Sequence, residues 1–355
     1  MKFGLGLYGP ILTQDNFRFA RQAGATHIVA HIVGWSRQPH PDANKFPGYR
    51  VSPPDDPVWT YAGMLELKKA INAEGLELEA IENFEPAHWY DVLLDGPRKR
   101  QQIEHLKQII RDLGRAGIPV MGYNFSYAGV WGRHDTTVSR GGAPGAGFHD
   151  PDQPPIPAGM VWNMVYDPET FDPSGKNGTL APISQDQLWQ RFTYFLQELL
   201  PVAEEAGVRL ALHPDDPPMP TLRGTPRLVY QPHIYDRVLD ARPSPMNTLE
   251  FCLGTLSEMT EGDIYEVVDQ YTRAGKVAYI HFRNVRGKVP HYDEVFLDEG
   301  DTDMIRVLRI LHRNRYDGVL IPDHTPAMSC AAPWHAGMAY ALGYMRAAAR
   351  IIESE

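Results

Sequence analysis

The chain has 355 residues, 43% of them hydrophobic and 22% charged, so it can bury a sizeable core. Its formal net charge of −10 argues against a nucleic-acid or anionic-membrane partner. Only two cysteines occur, Cys252 and Cys330, which implies no disulfide framework and favours a reducing compartment. No signal peptide is recognisable, and no apolar run reaches the ~18 residues of a membrane helix. These properties predict a cytoplasmic globular protein with no membrane or nucleic-acid partner.

Short aliphatic strands alternate with amphipathic helices along the chain. The first half predicts strands at 2–8, 26–31, 76–83 and 119–125, and helices at 14–23, 58–74 and 97–116. A Ser-x-x-Gln capping pattern at Ser184 begins a helix that runs to Ala206. The second half predicts strands at 208–212, 247–252, 277–284 and 319–323, and helices at 233–239, 261–274, 301–314 and 334–352.

Glycines mark the points where a helix gives way to the next strand, at Gly24, Gly75, Gly117, Gly207, Gly275 and Gly318. We expect each of them to adopt the left-handed cap that ends a helix. Alternating strands and helices demand parallel pairing, and about eight such units fit a (β/α)₈ barrel. A doubly wound sheet is the main competitor, but no Gly-x-Gly-x-x-Gly follows the first strand. We therefore predict a single (β/α)₈ TIM-barrel domain over residues 1–355.

Two long connections interrupt this pattern. One follows the strand at 26–31 and carries Trp35. The other, 126–183, is rich in Gly, Pro, Asp and aromatic residues and shows no sustained hydrophobic period. Connections of this length are uncommon in a compact domain unless they serve function. We predict that 126–183 is an insertion or lid within the barrel.

Four residues of metal-ligand type end four successive predicted strands, namely His213, Cys252, His281 and Asp323. The carboxyl ends of barrel strands meet on one face, so these side chains are expected to converge there. Taken singly, each has an ordinary alternative as a structural histidine, a small buried hydrophobe or a helix cap. Two imidazoles, a thiolate and a carboxylate suit Mn²⁺, Fe²⁺, Co²⁺ or Zn²⁺ better than Mg²⁺ or Ca²⁺. We predict an open catalytic metal site.

Several motifs occur in the order of a known family: Tyr-Gly-Pro at 8–10, His-Pro-Asp-Asp-Pro-Pro at 213–218, His-Phe-Arg at 281–283 and Pro-Asp-His at 322–324. On these motifs the chain resembles the bacterial mannonate dehydratases, which are xylose-isomerase-like barrels. The resemblance implies the metal set above with Mn²⁺ as the usual ion, and His324 as an acid/base residue. It also implies a hydro-lyase of hexuronate catabolism that converts D-mannonate to 2-keto-3-deoxy-D-gluconate and water.

The chain departs from the family at the start of its last helix. Pro333-Trp334-His335 stands where the family carries Pro-Gly-Tyr, and that tyrosine is the family's second acid/base residue. We expect His335 to replace it, with Tyr340 as the alternative.

Other polar residues near strand ends are candidates for binding a small sugar acid. Arg283 and Arg227 could pair bidentately with its carboxylate. Asn124, Glu82 and His31 could contact its hydroxyls. Structural hydrogen bonds are the ordinary alternative for all five.

Two further functions are compatible with the sequence. One is a metal-dependent sugar or sugar-acid isomerase or epimerase on the same barrel. The other is a sugar-acid-binding relative that lost turnover with the tyrosine, although the intact His324 and the complete ligand set argue against loss. A homo-oligomer is also compatible with the sequence, which does not determine the oligomeric state.

Overall fold

The computed structural model describes residues 1–34, 49–50 and 55–355, so the predicted loop position Trp35 lies outside the described residues. Eight parallel strands close into a barrel, which confirms the predicted fold. They are β1 (Lys2–Tyr8), β2 (His27–His31), β3 (Glu77–Glu82), β4 (Val120–Tyr123), β5 (Arg209–Leu212), β6 (Asn247–Cys252), β7 (Val277–His281) and β8 (Val319–Ile321). Strands adjacent in this series are adjacent in the barrel, and pairing of β8 with β1 closes it.

Helices lie between the strands and pack on the outside of the barrel. They are α1 (Gln14–Ala23), α2 (Tyr61–Asn72), α3 (Tyr90–Leu94), α4 (Lys99–Ala116), α5 (Gln185–Ala206), α6 (Ile234–Ala241), α7 (Leu253–Glu258), α8 (Ile264–Arg273), α9 (Met304–Arg313) and α10 (Pro333–Ser354). The predicted cap of α5 is a complete capping box between Ser184 and Gln187. The short helices α3 and α7 were not predicted, because one or two turns are too short to show a helical period.

Five of the six predicted helix-ending glycines have positive φ, namely Gly24, Gly75, Gly117, Gly207 and Gly275. Gly318 does not, so its predicted left-handed cap is wrong. A Cβ at Gly318 would lie 2.4 Å from the carbonyl oxygen of Ala278 in β7. The glycine at this position therefore allows close backbone approach instead of a left-handed turn.

The stretch 126–183 contains regular structure that its sequence did not predict. Its strands Arg133–Ser139 and Ala143–Phe148 join Asn284–Lys288 and His291–Val295, from the β7–α9 connection, in a four-stranded antiparallel sheet, which we call the accessory sheet. Phe148 pairs with Tyr292 across the two connections. Much of the first strand is exposed and polar, so it lacks the apolar alternation by which strands are recognised.

A tight hairpin also lies within this stretch. Strands Met160–Val161 and Met164–Val165 pair around a two-residue turn, Trp162-Asn163, and both turn residues have positive φ. Two positive φ values are typical of the type I′ turn that suits a two-residue hairpin. Trp162 Nε1 donates to Asn124 Oδ1 at 3.3 Å, so this hairpin contacts the carboxyl end of β4.

Two layers of buried side chains hold the barrel. The larger cluster fills the space between strands and helices. A smaller one fills the barrel interior with mostly small residues, including Val29, Ala80, Val120 and Ala211, together with Tyr279. No helix among the described residues combines the length and apolar character needed to cross a membrane.

Gly122 in β4 makes room for the Tyr279 hydroxyl, because a Cβ there would lie 2.1 Å from that oxygen and 2.9 Å from Glu250 Oε2. Gly122→Ala should therefore lower the free energy of unfolding by about 1–3 kcal/mol through overpacking. The matched control is Gly343→Ala at an exposed position of α10, where an added Cβ meets nothing within 4 Å. That change should raise stability by up to about 1 kcal/mol, since alanine favours helix. Urea denaturation followed by circular dichroism measures both, and equal effects would contradict the packing argument.

Candidate active site

A cavity of about 190 Å³ lies at the carboxyl ends of the barrel strands. Seven of the eight strands contribute to its wall at or just beyond their last residue, as barrel geometry predicts. The lining includes seven of the residues singled out from the sequence: His31, Glu82, Asn124, His213, His281, Asp323 and His324. Most of the residues predicted from their position at strand ends therefore lie in one cavity.

Three predicted metal donors converge beside this cavity. One ligand atom from each of His213, Cys252 and His281 lies within 4.8 Å of the other two. His213 Nδ1 lies 2.6 Å from the carbonyl oxygen of Pro214, which leaves Nε2 as the nitrogen that can face a metal. Asp323, the fourth predicted donor, lies next to this group, with Oδ2 3.6 Å from His281 Nδ1.

The two nitrogens of His281 have different surroundings. Nε2 lies 3.1 Å from Glu82 Oε2 and 3.0 Å from Glu250 Oε1. Nδ1 is buried and has no hydrogen-bond partner among the described residues. A metal-binding histidine commonly donates its other N–H to a carboxylate, which fixes the ring and its tautomer. The orphaned Nδ1 therefore fits a ligand to a cation, with Glu82 and Glu250 orienting the ring.

Opposite charges balance in this cluster. Burial alone would raise the pKa of Cys252, but the Arg283 guanidinium and the nearby imidazoles outweigh it and hold that pKa well below its ordinary value. Burial likewise opposes ionisation of Asp323, yet His324 and His281 hold its pKa well below the usual range. Burial lowers the pKa of His213, whereas Glu250 and Cys252 raise it, with a net value of about 9. Cys252 and Asp323 are therefore ionised, and a bound cation would displace the proton of His213. Both features suit metal binding.

Glu82 and Glu250 share the space behind His281 but differ in charge. Burial raises the pKa of Glu82, but His31 and His281 outweigh it and bring the pKa to about 2. Burial and the charge of Glu82 raise the pKa of Glu250, which also accepts a hydrogen bond from Tyr279. One carboxylate of the pair therefore carries the charge that orients the imidazoles.

His324 lies at the cavity wall with its side chain 37% exposed. Its Nδ1 is 3.0 Å from Glu294 Oε2, and its Nε2 is 3.3 Å from Asp323 Oδ1. Burial lowers the pKa of His324, but the charges of Asp323 and Glu294 outweigh it and raise that pKa above the ordinary value. The imidazole is therefore well placed to hold a proton that it can donate.

The cavity's guanidinium comes from Arg133, a residue that was not among the predicted substrate contacts. Its Nη2 donates to Asp216, and its Nη1 lies 3.1 Å from Glu294 Oε1. Asp216 also accepts from Tyr292 Oη at 2.8 Å and Arg283 Nη2 at 2.7 Å. This ion network fixes the Arg133 side chain at the cavity wall.

Neither arginine predicted to bind the substrate carboxylate lines the cavity. Arg283 is completely buried and pairs with Asp216, Glu258 and Glu294. Arg227 is equally buried, with Nε 3.0 Å from Asp215 Oδ1. Their donors serve the interior because buried carboxylates need compensation there, and the sequence alone could not distinguish this from substrate binding.

His335, the predicted second acid/base residue, lies at the contact between α10 and α1. Its Nε2 is 2.9 Å from Asn16 Oδ1, and its ring packs edge-on against Phe19 at 4.7 Å. His335 is not among the residues that line the cavity. Tyr340, the alternative, packs against Phe296 and is likewise outside the lining. The structure thus brings neither residue to His324.

His31, the last residue of β2, also forms part of the cavity wall. Its ring stacks on Tyr8 with centroids 4.2 Å apart, and its Nε2 lies 3.4 Å from Glu82 Oε2. Burial lowers the pKa of His31 below its ordinary value, and the charge of Glu82 offsets this only in part. At neutral pH this imidazole is therefore uncharged, in contrast to His324.

Asn124 forms part of the wall after β4. Its Nδ2 donates to the carbonyl of Pro214 at 3.2 Å, while its Oδ1 accepts from Trp162 Nε1 at 3.3 Å. The Asn124 side chain is therefore held both by the connection after β5 and by the insertion.

Six cavity residues escaped the sequence argument: Tyr8, Asn83, Val130, Arg133, Trp162 and Asp216. Tyr8 and Asn83 end or follow barrel strands, so the rule that found the metal donors would have found them too. Val130, Arg133 and Trp162 belong to the insertion, where no periodic pattern points toward the barrel.

Comparison with known proteins supports the resemblance seen in the motifs. The sequence model of the D-mannonate dehydratase (UxuA) family matches residues 1–349. A mannonate dehydratase of Geobacillus thermodenitrificans is 30% identical over 296 residues, covering 75% of this chain and 76% of that protein. Mannonate dehydratase 2 of Halalkalibacterium halodurans is 31% identical over 277 residues, covering 75% of this chain and 79% of its own.

Comparison with solved structures also supports the family and the barrel fold. The crystal structure of mannonate dehydratase from Streptococcus suis serotype 2 superposes with a TM-score of 0.77 at 26% identity, covering 100% of this chain and 94% of that one. A D-psicose 3-epimerase from Clostridium cellulolyticum H10 has a TM-score of 0.59 at 11% identity, over 98% of this chain and 99% of its own, and shows the fold alone. The family predicted from the motifs is confirmed: this chain belongs to the D-mannonate dehydratase family.

Proposed function

We propose that this protein is a metal-dependent hydro-lyase that converts D-mannonate to 2-keto-3-deoxy-D-gluconate and water in cytoplasmic hexuronate catabolism. The observation that carries the proposal is the convergence of His213, Cys252 and His281, with Asp323 and His324 beside them, at one cavity. Family membership supports the reaction. Both cysteines are free in the structure, which supports a reducing compartment.

The donor set favours Mn²⁺ as the bound ion, with Fe²⁺, Co²⁺ or Zn²⁺ as the other candidates. His213 Nε2, the Cys252 thiolate, His281 Nδ1 and the Asp323 carboxylate would hold it. A divalent cation bound there supplies Lewis-acid chemistry, which acidifies the C–H next to the substrate carboxylate and polarises substrate oxygens.

Dehydration of the hexonate breaks a C–H bond at C2 and a C–O bond at C3. The C2 electron pair forms the C2=C3 double bond as the C3 hydroxyl leaves with a proton as water, and the resulting enol becomes the 2-keto acid. We assign the proton given to the C3 hydroxyl to His324 Nε2, because Glu294 accepts from Nδ1 and keeps the ring in that orientation. A second group must accept the C2 proton.

Other cavity residues supply binding contacts in this proposal. Arg133 is the guanidinium that faces the cavity, so we assign the substrate carboxylate to it instead of Arg283 or Arg227. Asn124 and Trp162, joined by their own hydrogen bond, are positioned to contact hydroxyls.

Chelation should abolish formation of keto acid from D-mannonate, and Mn²⁺ should restore it better than Mg²⁺, because imidazoles and a thiolate prefer the softer ion. Cys252→Ser should lower metal content measured by elemental analysis more than it lowers turnover per bound metal. Full activity of protein shown to be metal-free would contradict the metal site. A hexonate isomer in place of keto acid would instead indicate an isomerase or epimerase.

His324→Asn should keep the fold and the metal content yet lower kcat by roughly two to four orders of magnitude, the usual effect of losing an acid/base group. Steady-state kinetics with metal-loaded protein measures the change. His312→Asn, at an exposed position of α9, is the matched control and should retain the parental rate. An unchanged kcat in His324→Asn would restrict this residue to orienting Asp323.

A further inference from the structure

The proposed dehydration needs two proton-transfer groups, and His324 supplies only one. The residue expected from the sequence to supply the other, His335, contacts Asn16 and Phe19 instead of the cavity. The acceptor of the C2 proton must therefore be sought among the ionisable side chains that line the cavity. This search rests on the proposed function, since a different reaction would need different groups.

Most ionisable groups in the described lining already have other partners. His213, His281 and Asp323 are metal donors in the proposal, and Arg133 and Asp216 are paired with each other. The Glu82 carboxylate is occupied by two imidazoles, those of His31 and His281. Tyr8 is a phenol, and phenols with an ordinary pKa near 10 keep their proton at neutral pH. His31 is the remaining candidate for a base.

The surroundings of His31 are those of a general base. Nε2 lies 3.4 Å from Glu82 Oε2, and the negative charge of that carboxylate favours the proton on Nε2, which leaves the lone pair to Nδ1. Nδ1 has no hydrogen-bond partner among the residues that the structure describes. The stacked Tyr8 ring, 4.2 Å away and tilted by 22°, holds the plane of the imidazole. A carboxylate behind one nitrogen and a free lone pair on the other is the arrangement that orients a basic histidine.

The direction of the pKa shift agrees with this geometry. Burial lowers the pKa of His31, so its imidazole is neutral and can accept a proton at neutral pH. Once protonated, the imidazolium gains the attraction of the adjacent Glu82 carboxylate, so proton transfer does not leave an isolated buried charge.

We propose that the His31–Glu82 pair is the second acid/base group of this enzyme, with His31 Nδ1 accepting the C2 proton of the hexonate. The C2–H bond breaks, its proton moves to Nδ1, and its electron pair forms the C2=C3 bond as the C3 hydroxyl leaves with a proton from His324. Glu82 acts as a positioning residue because its carboxylate is already engaged by the imidazoles of His31 and His281. No oxidant or additional reactant is required.

Chemical rescue tests this assignment with the metal-loaded, full-length protein. His31→Ala should retain parental metal content but lower kcat by roughly two to four orders of magnitude. Added imidazole should restore part of the rate, and across a series of substituted imidazoles the rescue should rise with the pKa of the added base. Replacing hydrogen by deuterium at C2 should slow the unrescued variant more than the parent, because proton abstraction then limits turnover.

The results distinguish His31 from Tyr8 as the base, and both from a failure of the proposed function. A kcat of His31→Ala within threefold of the parent, or a rescue that does not depend on basicity, would overturn the role of His31. His31→Asn serves if the alanine variant does not fold, and it should show the same loss and the same isotope effect. Tyr8→Phe keeps the stacked ring and removes only the hydroxyl, so a loss of proton abstraction there but not at His31 would assign the base to Tyr8. Failure of the parent itself to form keto acid would instead refute the proposed function.

Discussion

The arrangement of this site depends on the cost of burying charge. His281 lies 3% exposed between the Glu82–Glu250 pair on one side and Cys252 with Asp323 on the other. Removing a charged member of this set, such as Glu82 or Asp323, would leave an uncompensated charge in a low-dielectric interior, where an ion without a partner is strongly disfavoured. The positions of the cavity side chains are therefore coupled, and the barrel face is ordered as a network more than as a set of separate residues.

The buried Arg283 guanidinium contacts the charged groups of the cavity from the interior of the protein. Arg283 contacts the Cys252 sulfur at 3.3 Å and lies 3.5 Å from Asp323 Oδ2. It also pairs with Asp216, which binds Arg133 at the cavity wall. A buried guanidinium keeps its charge at all relevant pH values. Arg283 thus links Cys252 and Asp323, two of the proposed metal donors, to the Arg133 side chain.

The barrel and the convergence of the proposed metal donors were predictable because both follow from strand ends. The aliphatic runs before His213, Cys252, His281 and Asp323 mark buried parallel strands, whose carboxyl ends must share one face. The roles of Arg283, Arg227 and His335 were not predictable, since adjacency to a strand or helix end does not tell which way a side chain points. The accessory sheet escaped for another reason, because its pairing joins segments more than a hundred residues apart without a hydrophobic pattern.

The accessory sheet also constrains how such a barrel can be altered. Its strand Arg133–Ser139 delivers the cavity's guanidinium, while His291–Val295 delivers the carboxylate that holds His324. The two loops meet through the pairing of Phe148 with Tyr292. Grafting one loop from a homologue would leave the other without its partner edge, so loop exchange among these barrels must move both connections together. The cavity wall of this chain therefore depends on a matched pair of connections, although three barrel strands, β5, β6 and β7, separate them in the sequence.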